Sequence, residues 1–240
     1  MENKNTGSNL LSPLKYLIRV TISSFLAVLC LWLTTSWAWA NSTEVHIGVL
    51  AKRGYEKSIE RWNAMAEYLN ESLPAYQFSI VPMAFGDIQV IVKNQMVDFV
   101  IVNPGIYVDL SVKYGIRRVL TLVNKLSIDN HVSEFGSVIF TLKDHNNLRH
   151  LSDLKNQRLA AVHQTSLGGW VMALRELRIS GIDQWDLASL LFLNTHDAVV
   201  NAVLNREAEI GIVRTDTLER MTLEGKLNQH DFRHHITQDL

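Results

Sequence analysis

Short apolar runs alternate with longer amphipathic segments from Glu44 onward. Residues 44–50 (EVHIGVL) are typical of a strand, and apolar residues then recur at positions 59, 62, 66, 69 and 73, the spacing of one helix face. Further strands are predicted at 77–82, 98–102, 158–162, 190–193 and 210–213, and further helices at 88–94, 104–114, 167–180, 197–205 and 217–224. This repeated βα order predicts an α/β fold.

Two β-rich stretches, 119–126 and 135–141, interrupt the alternation. They indicate a crossing between two α/β lobes, each with a largely parallel sheet, that are joined near residues 125–135. We expect the first lobe at 41–128, the second lobe at 129–225, and the start of a return crossing to the first lobe at 226–240.

The N-terminus has the pattern of an export signal. Basic residues precede an uncharged stretch from Val20 to Ala40, which ends in the small-x-small sequence Ala38-Trp39-Ala40. Residues 1–40 are therefore predicted to be a cleaved signal peptide or, alternatively, a retained inner-membrane anchor. Both alternatives place the rest of the chain in the periplasm, and the single cysteine, Cys30, lies within this segment.

Charge and histidine content exclude some functions. The 23 basic and 24 acidic residues give a net charge of -1, and the basic residues are scattered, so we expect no binding to nucleic acid. The nine histidines form no cluster with cysteine, and the adjacent His234 and His235 would point to opposite faces of a strand. We therefore expect neither a metal nor another cofactor.

Polar residues follow the predicted strands, where ligands bind in open α/β sheets. Each of these junctions leads into the N-terminus of a helix, whose free N–H groups attract anions, and hydroxyls or cations there complete an anion pocket. The candidate ligand-binding residues at these junctions are Arg53, Asn103, Tyr107, Thr165, Ser166, His196, Arg214 and Asp216.

Structural roles remain open for several of these candidates. Thr165 and Ser166 are ordinary helix N-cap residues, and Asn103 before a proline is also a common cap. Arg53 and Arg214 could instead form salt bridges between the lobes. A hydrolase triad of Ser166, His196 and Asp197 or Asp216 is disfavoured, because no G-x-S-x-G sequence surrounds the serine.

These junctions resemble the periplasmic phosphonate/phosphite-binding protein family, and within it the periplasmic sensor domains of tetrathionate-type sensor histidine kinases. The matching segments include IGVLAKRG (47–54), VDFVIVNPGIYV (97–108), LAAVHQTSLGGW (159–170), LNTHDAVVNAV (193–203) and VRTDTLERM (213–221). The resemblance implies a type II periplasmic-binding fold whose two lobes close on a small oxyanion. It also implies that a segment beyond residue 240 would complete the first lobe, which is then incomplete at its C-terminus here.

The resemblance also implies roles for individual residues. Thr165 and Ser166 match the hydroxyls that hold the anionic oxygens, His196 matches a ligand-contacting histidine, and Tyr107 lies at an aromatic contact. Asp216 lies where the family places a carboxylate for an amine-bearing ligand, but Arg214, two residues earlier, argues against such a ligand. If His196 donates to the anion, its protonation should strengthen binding as the pH falls.

Two functions follow from this resemblance. The first is the ligand-sensing input of a two-component sensor kinase, and the alternative is the substrate-binding protein of an ABC phosphate/phosphonate importer. The partners are then a small anionic ligand and a membrane-embedded kinase or importer. We expect no enzymatic activity, because the chain carries no kinase core, and tetrathionate, thiosulfate, phosphite and phosphonate all remain candidate ligands.

Overall fold

The computed structural model describes residues 42–125 and 131–236. The predicted signal peptide or anchor at 1–40 lies outside these residues, as do the last positions of the expected return crossing. The described residues from Glu44 onward form one compact unit. Within the part that the structure describes, no helix is both long and apolar enough to cross a membrane.

The N-terminal sheet has three strands in the order β2-β1-β3. Strand β1 runs parallel to β3, with Ile47 opposite Phe99. The elements of this part of the chain are β1 (Thr43–Leu50), α1 (Tyr55–Ser72), β2 (Tyr76–Met83), α2 (Ile88–Lys93), β3 (Phe99–Ile101) and α3 (Pro104–Tyr114).

The C-terminal sheet has five strands in the order β10-β6-β9-β7-β8. Strand β7 is parallel to β8 and β9, whereas β6 is antiparallel to both β9 and β10. Four of the five strands therefore run in one direction, as predicted, and β6 alone runs in the opposite direction. The reversed direction of β6 was not predicted, because hydrophobic periodicity places strands but does not set their direction. Its elements are β6 (Ser137–Leu142), β7 (Arg158–Ala161), α4 (Met172–Ile179), β8 (Ser189–Phe192), α5 (His196–Leu204), β9 (Ile210–Arg214), α6 (Thr217–Leu223) and β10 (Phe232–Ile236).

The structure describes residues 119–125 of the β-rich stretch predicted at 119–126, and they form little regular structure. Only Asn124–Lys125 (β4) is a strand, and it pairs with His131–Val132 (β5). Val119 and Leu120 are 76% and 67% exposed. A strand needs a hydrogen-bonded neighbour, and residues 119–123 have none among the residues that the structure describes, so their apolar pattern leads to no strand.

Two hydrophobic clusters form the core. One contains Leu50 and Met83 from the N-terminal sheet together with Phe140 and Val213 from the C-terminal sheet. The other lies against the C-terminal sheet and includes Trp170, which is 4% exposed and packs edge-on against Phe192. Because the first cluster is shared by both sheets, it holds the carboxyl ends of β1 and β9 close together.

Gly211 provides a test of the packing in the C-terminal sheet. It lies in β9 opposite Phe140, and a Cβ added to Gly211 would overlap the Phe140 ring, which is fully buried. Gly211→Ala should therefore lower the free energy of unfolding by about 1–3 kcal/mol in urea denaturation. Gly86→Ala is the matched control, because a Cβ there meets no atom within 4 Å. Equal stability of the two variants would contradict this packing.

Candidate anion-binding site

The carboxyl ends of β1 and β9 meet at His196, the first residue of α5. The backbone N–H of His196 donates to the carbonyl oxygen of Lys52, just beyond β1, at 3.0 Å. The ring nitrogen Nδ1 of His196 accepts from the backbone N–H of Arg214, the last residue of β9, at 3.2 Å. Two hydrogen bonds therefore join three junctions that are far apart in the sequence.

The hydrogen bond from Arg214 determines the protonation state of His196. A backbone N–H can only donate, so Nδ1 carries a lone pair and the neutral ring carries its proton on Nε2. The side chain is 4% exposed, and burial together with the nearby Lys52 and Arg214 holds its pKa well below the ordinary value of 6.5. Nε2 makes no hydrogen bond with any residue in the described part of the chain, so it remains available as a neutral donor.

Arg214 carries an unsatisfied hydrogen-bond donor. Its side chain is only 12% exposed, and its guanidinium lies over the ring of Phe135, with 4.7 Å between Cζ and the ring centroid. Nη2 is 3.3 Å from the carboxylate of Asp216, but Nε is buried without a partner in the described structure. A buried donor of this kind costs free energy unless another group accepts from it.

Asp216 is already engaged by arginine side chains. Besides its contact with Arg214, its carboxylate accepts from Nε of Arg220 at 2.7 Å. Asp216 itself has a positive φ of 74° and lies at the N-cap of α6. Its carboxylate therefore balances two guanidinium groups, which leaves little of its charge for a ligand amine.

Lys52 adds a further positive group next to Arg214. The side chain is partly buried and forms no ion pair with any described residue. Burial is the largest of the effects that together lower the pKa of Lys52 to about 7; the charges of Arg214, Arg61 and Arg220 act in the same direction, and Asp216 opposes them. We call Lys52, Arg61, Arg214 and Arg220, with the single carboxylate of Asp216, the cationic cluster.

Sequence reasoning missed three members of the cationic cluster. Lys52 lies in a strand-end segment that was recognised, but its neighbour Arg53 was chosen. Arg61 and Arg220 lie inside helices and not at strand ends, so the search at junctions could not find them. The one available signal was the spacing of four residues between Asp216 and Arg220, which predicts an ion pair on a helix.

Arg53 points to a different set of partners. Its Nε and Nη2 donate to the two carboxylate oxygens of Asp197 at 2.5 and 2.9 Å. Its Nη1 and Nη2 donate to the carboxylate of Glu224 at 2.6 and 3.0 Å. This bidentate geometry on both carboxylates favours the salt-bridge alternative for Arg53 over direct contact with a ligand.

Two lysines complete the group around Arg53. Lys57 and Lys226 lie 2.6 and 2.9 Å from the Glu224 carboxylate, and both are within 4 Å of Asp197. We call these five residues, Arg53, Lys57, Asp197, Glu224 and Lys226, the ion-pair cluster. It ties the β1–α1 segment to the beginning of α5 and the end of α6.

The remaining candidates lie at helix starts. Ser166 Oγ accepts from Gly169 N at 3.2 Å and caps a π-helical turn at Leu167–Val171, and Asn103 Oδ1 accepts from Ile106 N at 3.0 Å and caps α3. Thr165 is exposed, and its backbone N–H donates to His163 Nδ1 at 3.2 Å. Tyr107 is half-buried in the first turn of α3.

The two helix starts lie against each other. A Cβ added to Gly105, in the first turn of α3, would lie 3.5 Å from Cβ of Leu167, the first residue of the π-helical turn. The structure thus brings together the helix starts that Asn103 and Ser166 cap. The capping bonds of Ser166 and Asn103 leave their ligand roles as predictions.

The geometry offers no support for hydrolysis or metal binding. Nδ1 of His196 is occupied by the Arg214 N–H, and no hydrogen bond joins His196 to Ser166 in the described structure. Among residues 42–125 and 131–236, no three His, Cys, Asp or Glu side chains are grouped so that they could hold a metal ion.

Comparison with known proteins agrees with a binding role. The family described as "ABC transporter, phosphonate, periplasmic substrate-binding protein" matches residues 47–235. The chain belongs to this family. The type II periplasmic-binding fold and the resemblance inferred from the sequence are therefore confirmed, and the chain is a substrate-binding domain.

Three relatives show the range of the similarity. The tetrathionate sensor histidine kinase TtrS of Salmonella typhimurium is 29% identical over 196 residues, which cover 81% of this chain but only 33% of the kinase. The structure of PhnD1 from Prochlorococcus marinus in complex with methylphosphonate has a TM-score of 0.67 at 17% identity, covering 81% of this chain and 72% of PhnD1. A binding protein component of an ABC phosphonate transporter from Pseudomonas aeruginosa has a TM-score of 0.66 at 12% identity, covering 81% and 64% of the two chains.

The ion-pair cluster predicts a pH-dependent contribution to stability. Hydrogen bonds from Arg53 hold the pKa of Glu224 far below its usual value of 4.5. Its contribution should therefore be present above the unfolded-state pKa and be lost as the pH falls toward the lower folded-state pKa. Glu224→Gln should lower the free energy of unfolding by about 1 kcal/mol at neutral pH, and this difference should shrink as the pH falls to about 3.

Urea denaturation of the wild type and the variant at several pH values measures this effect. The control is Glu71→Gln, which changes an exposed glutamate near the end of α1 that has no ion pair in the described structure. A Glu224→Gln difference that is the same at all pH values would contradict the assignment.

Proposed function

We propose that the chain is a periplasmic oxyanion-binding domain that serves as the ligand-sensing input of a two-component sensor kinase. The observation that carries this proposal is the buried, unpartnered Nε of Arg214. The backbone N–H of Arg214 binds the ring of His196, whose Nε2–H has no partner among the described residues, and Lys52 is close enough for the charge of Arg214 to lower its pKa. Together they provide donors to an acceptor that the protein does not supply.

The charge balance supports an anionic ligand. In the cationic cluster, Arg214 and Arg220 share the carboxylate of Asp216 and Lys52 forms no ion pair with a described residue, whereas the neighbouring ion-pair cluster has three basic residues and two acids. Burial of excess charge of one sign is unfavourable unless a counter-charge enters. Hydrogen bonds to charged groups contribute about 1.5–3 kcal/mol each, so four of them suffice for micromolar binding, about -8 kcal/mol, after ordering costs.

The donor set suits oxygen acceptors on sulfur or phosphorus. A guanidinium and a neutral imidazole N–H both match the lone pairs of tetrahedral oxyanions. Thr165, Ser166, Asn103 and Tyr107 are the additional contacts that we propose from the opposed helix starts. Because Asp216 is engaged by Arg214 and Arg220, we propose ligands without an amine group.

The sensing role is favoured over import by one observation. The similarity to the sensor kinase TtrS covers 81% of this chain, and the partner would then be a membrane-embedded kinase. The alternative, a substrate-binding protein of an ABC importer, is consistent with the family description. The coding sequence that follows separates them, because a kinase frame supports the sensor whereas permease and ATPase frames support the importer.

Calorimetry tests the ligand class. The purified 240-residue chain should bind at least one anion from a panel of tetrathionate, thiosulfate, phosphite and methylphosphonate with micromolar affinity. Arg214→Met should weaken that binding at least about tenfold, because one charge-assisted hydrogen bond is lost. Lys113→Met, which changes an exposed lysine on α3, should bind like the wild type. A folded protein that binds none of the four anions would rule out this function.

The neutral state of His196 gives a second prediction. His196→Ala should weaken anion binding by about tenfold, because the Nε2–H donor is lost. The factor should be the same at pH 6 and pH 8, since the low pKa keeps the ring neutral across this range. An ordinary histidine would instead become protonated as the pH falls, so its contribution to anion binding would be larger at pH 6 than at pH 8. Calorimetry at both pH values measures it, and a loss confined to the lower pH would show that His196 binds as a cation.

A further inference from the structure

Resting on the proposed oxyanion function, we propose that Phe135 is the residue that positions Arg214 for the anion. The ring of Phe135 holds the guanidinium of Arg214 by its flat face. The N–H groups in the plane of the guanidinium then stay available, and a bound oxyanion accepts from Nε. Phe135 acts through Arg214 and does not itself touch the ligand.

A contact with the face of a guanidinium uses none of its hydrogen-bond donors. The guanidinium of Arg214 lies over the Phe135 ring, with 4.7 Å between Cζ and the ring centroid. This contact is an attraction between the cation and the π electrons, and the N–H groups point outward in the guanidinium plane. Nη2 of Arg214 is 3.3 Å from the carboxylate of Asp216, and Nε is buried without a partner in the described structure. The ring therefore restrains the side chain while Nε remains unused.

Arg53 shows the opposite arrangement. Its Nε and Nη2 donate to the carboxylate of Asp197, and its Nη1 and Nη2 donate to the carboxylate of Glu224. An arginine that is held by its edge spends its donors on the protein, whereas one that is held by its face keeps them. The contact with Phe135 is therefore the feature that suits Arg214, and not Arg53, to a ligand.

The backbone next to Phe135 is fixed to the strand end that contains Arg214. Gly136 N donates to Oγ1 of Thr215 at 3.0 Å, and Thr215 N donates to the carbonyl oxygen of Gly136 at 3.1 Å. Ser137, the first residue of β6, lies opposite Arg214 in the sheet. These backbone connections keep the ring and the guanidinium in a defined relative position.

The Phe135 ring also packs against the π-helical turn that Ser166 caps. A Cβ added to Gly168 would lie 3.1 Å from Cδ2 and Cε2 of the ring and 2.9 Å from the carbonyl oxygen of Gly136, so only a glycine allows this close approach. Ser137 Oγ donates to the carbonyl oxygen of Gly168 at 2.8 Å. Phe135 thus contacts both this turn and Arg214, which limits the movement of its ring.

A double-mutant cycle tests whether Phe135 acts through Arg214. The probes are tetrathionate, thiosulfate, phosphite and methylphosphonate in calorimetry. Phe135→Leu keeps an apolar side chain but removes the ring face, so it should weaken binding of the anion that binds by about three- to tenfold. In the Arg214→Met protein the same change should alter affinity by less than about twofold, because no guanidinium remains to be positioned.

Two further variants serve as controls in the same assay. Phe135→Tyr keeps the ring face and should restore the affinity of the wild type to within about twofold. Phe99→Leu changes a 48% exposed phenylalanine at the start of β3, far from the strand ends, and should bind like the wild type.

A ligand-free measurement follows the Arg214 side chain directly. In arginine-labelled protein, the Nε–H resonance that is missing from Arg214→Met identifies Arg214. The ring current of Phe135 should shift this resonance upfield, and a nuclear Overhauser contact should connect it to the ring protons. Both signals should disappear in Phe135→Leu and persist in Phe135→Tyr and Phe99→Leu. A side chain with a purely structural role elsewhere would not change the Arg214 resonance in this way.

The failures of the two proposals are distinguishable. Wild-type affinity in Phe135→Leu, or equal weakening with and without Arg214, would overturn the positioning role and leave the oxyanion function in place. An Arg214 resonance without the upfield shift and the ring contact in the wild type would overturn it even if Phe135→Leu does not fold. If no anion in the panel binds to the folded protein, the oxyanion function fails, and the role of Phe135 in binding fails with it.

Discussion

An excess of positive charge at the carboxyl ends of β1 and β9 is the constraint on which the site depends. Arg214 and Arg220 both contact the carboxylate of Asp216, and the charges of Arg214, Arg61 and Arg220 lower the pKa of the nearby Lys52. Solvent is largely excluded from Arg214, so its charge cannot be compensated by water alone. Unbalanced buried charge lowers the stability of the ligand-free protein, and binding of a counter-charge raises that stability.

In the ion-pair cluster, carboxylates of the protein itself balance the positive charges. Arg53 is adjacent to Lys52, yet it meets two carboxylates with bidentate geometry. Balanced charges of this kind hold chain segments together and do not require a ligand. The two neighbours therefore differ in their surroundings: the charge of Arg53 is balanced by two carboxylates, whereas Lys52 forms no ion pair with any described residue.

His196 connects the carboxyl ends of β1 and β9. Its backbone N–H donates to the carbonyl oxygen of Lys52, and its ring Nδ1 accepts from the backbone N–H of Arg214. Because the ring nitrogen Nδ1 is fixed by a backbone N–H, the imidazole acts as a rigid neutral donor. The family relationship accounts for the fold, but the chemistry of the site, and not the fold, must determine which ligand binds.

The order and the positions of most elements follow from the sequence alone, because local spacing of apolar residues dictates helices such as α1 and α3 and strands such as β1 and β9. The junctions that contain Arg214, His196 and Asp216 follow from the same pattern. The directions of β6 and β10, the lack of a strand at 119–123 and the partners of Arg53, which lie 144 and 171 residues away, were decided only by the tertiary structure. The tautomer of His196 and the burial of Lys52 were also decided only by the tertiary structure. Each depends on contacts between segments that are distant in the chain, and local periodicity carries no information about such contacts.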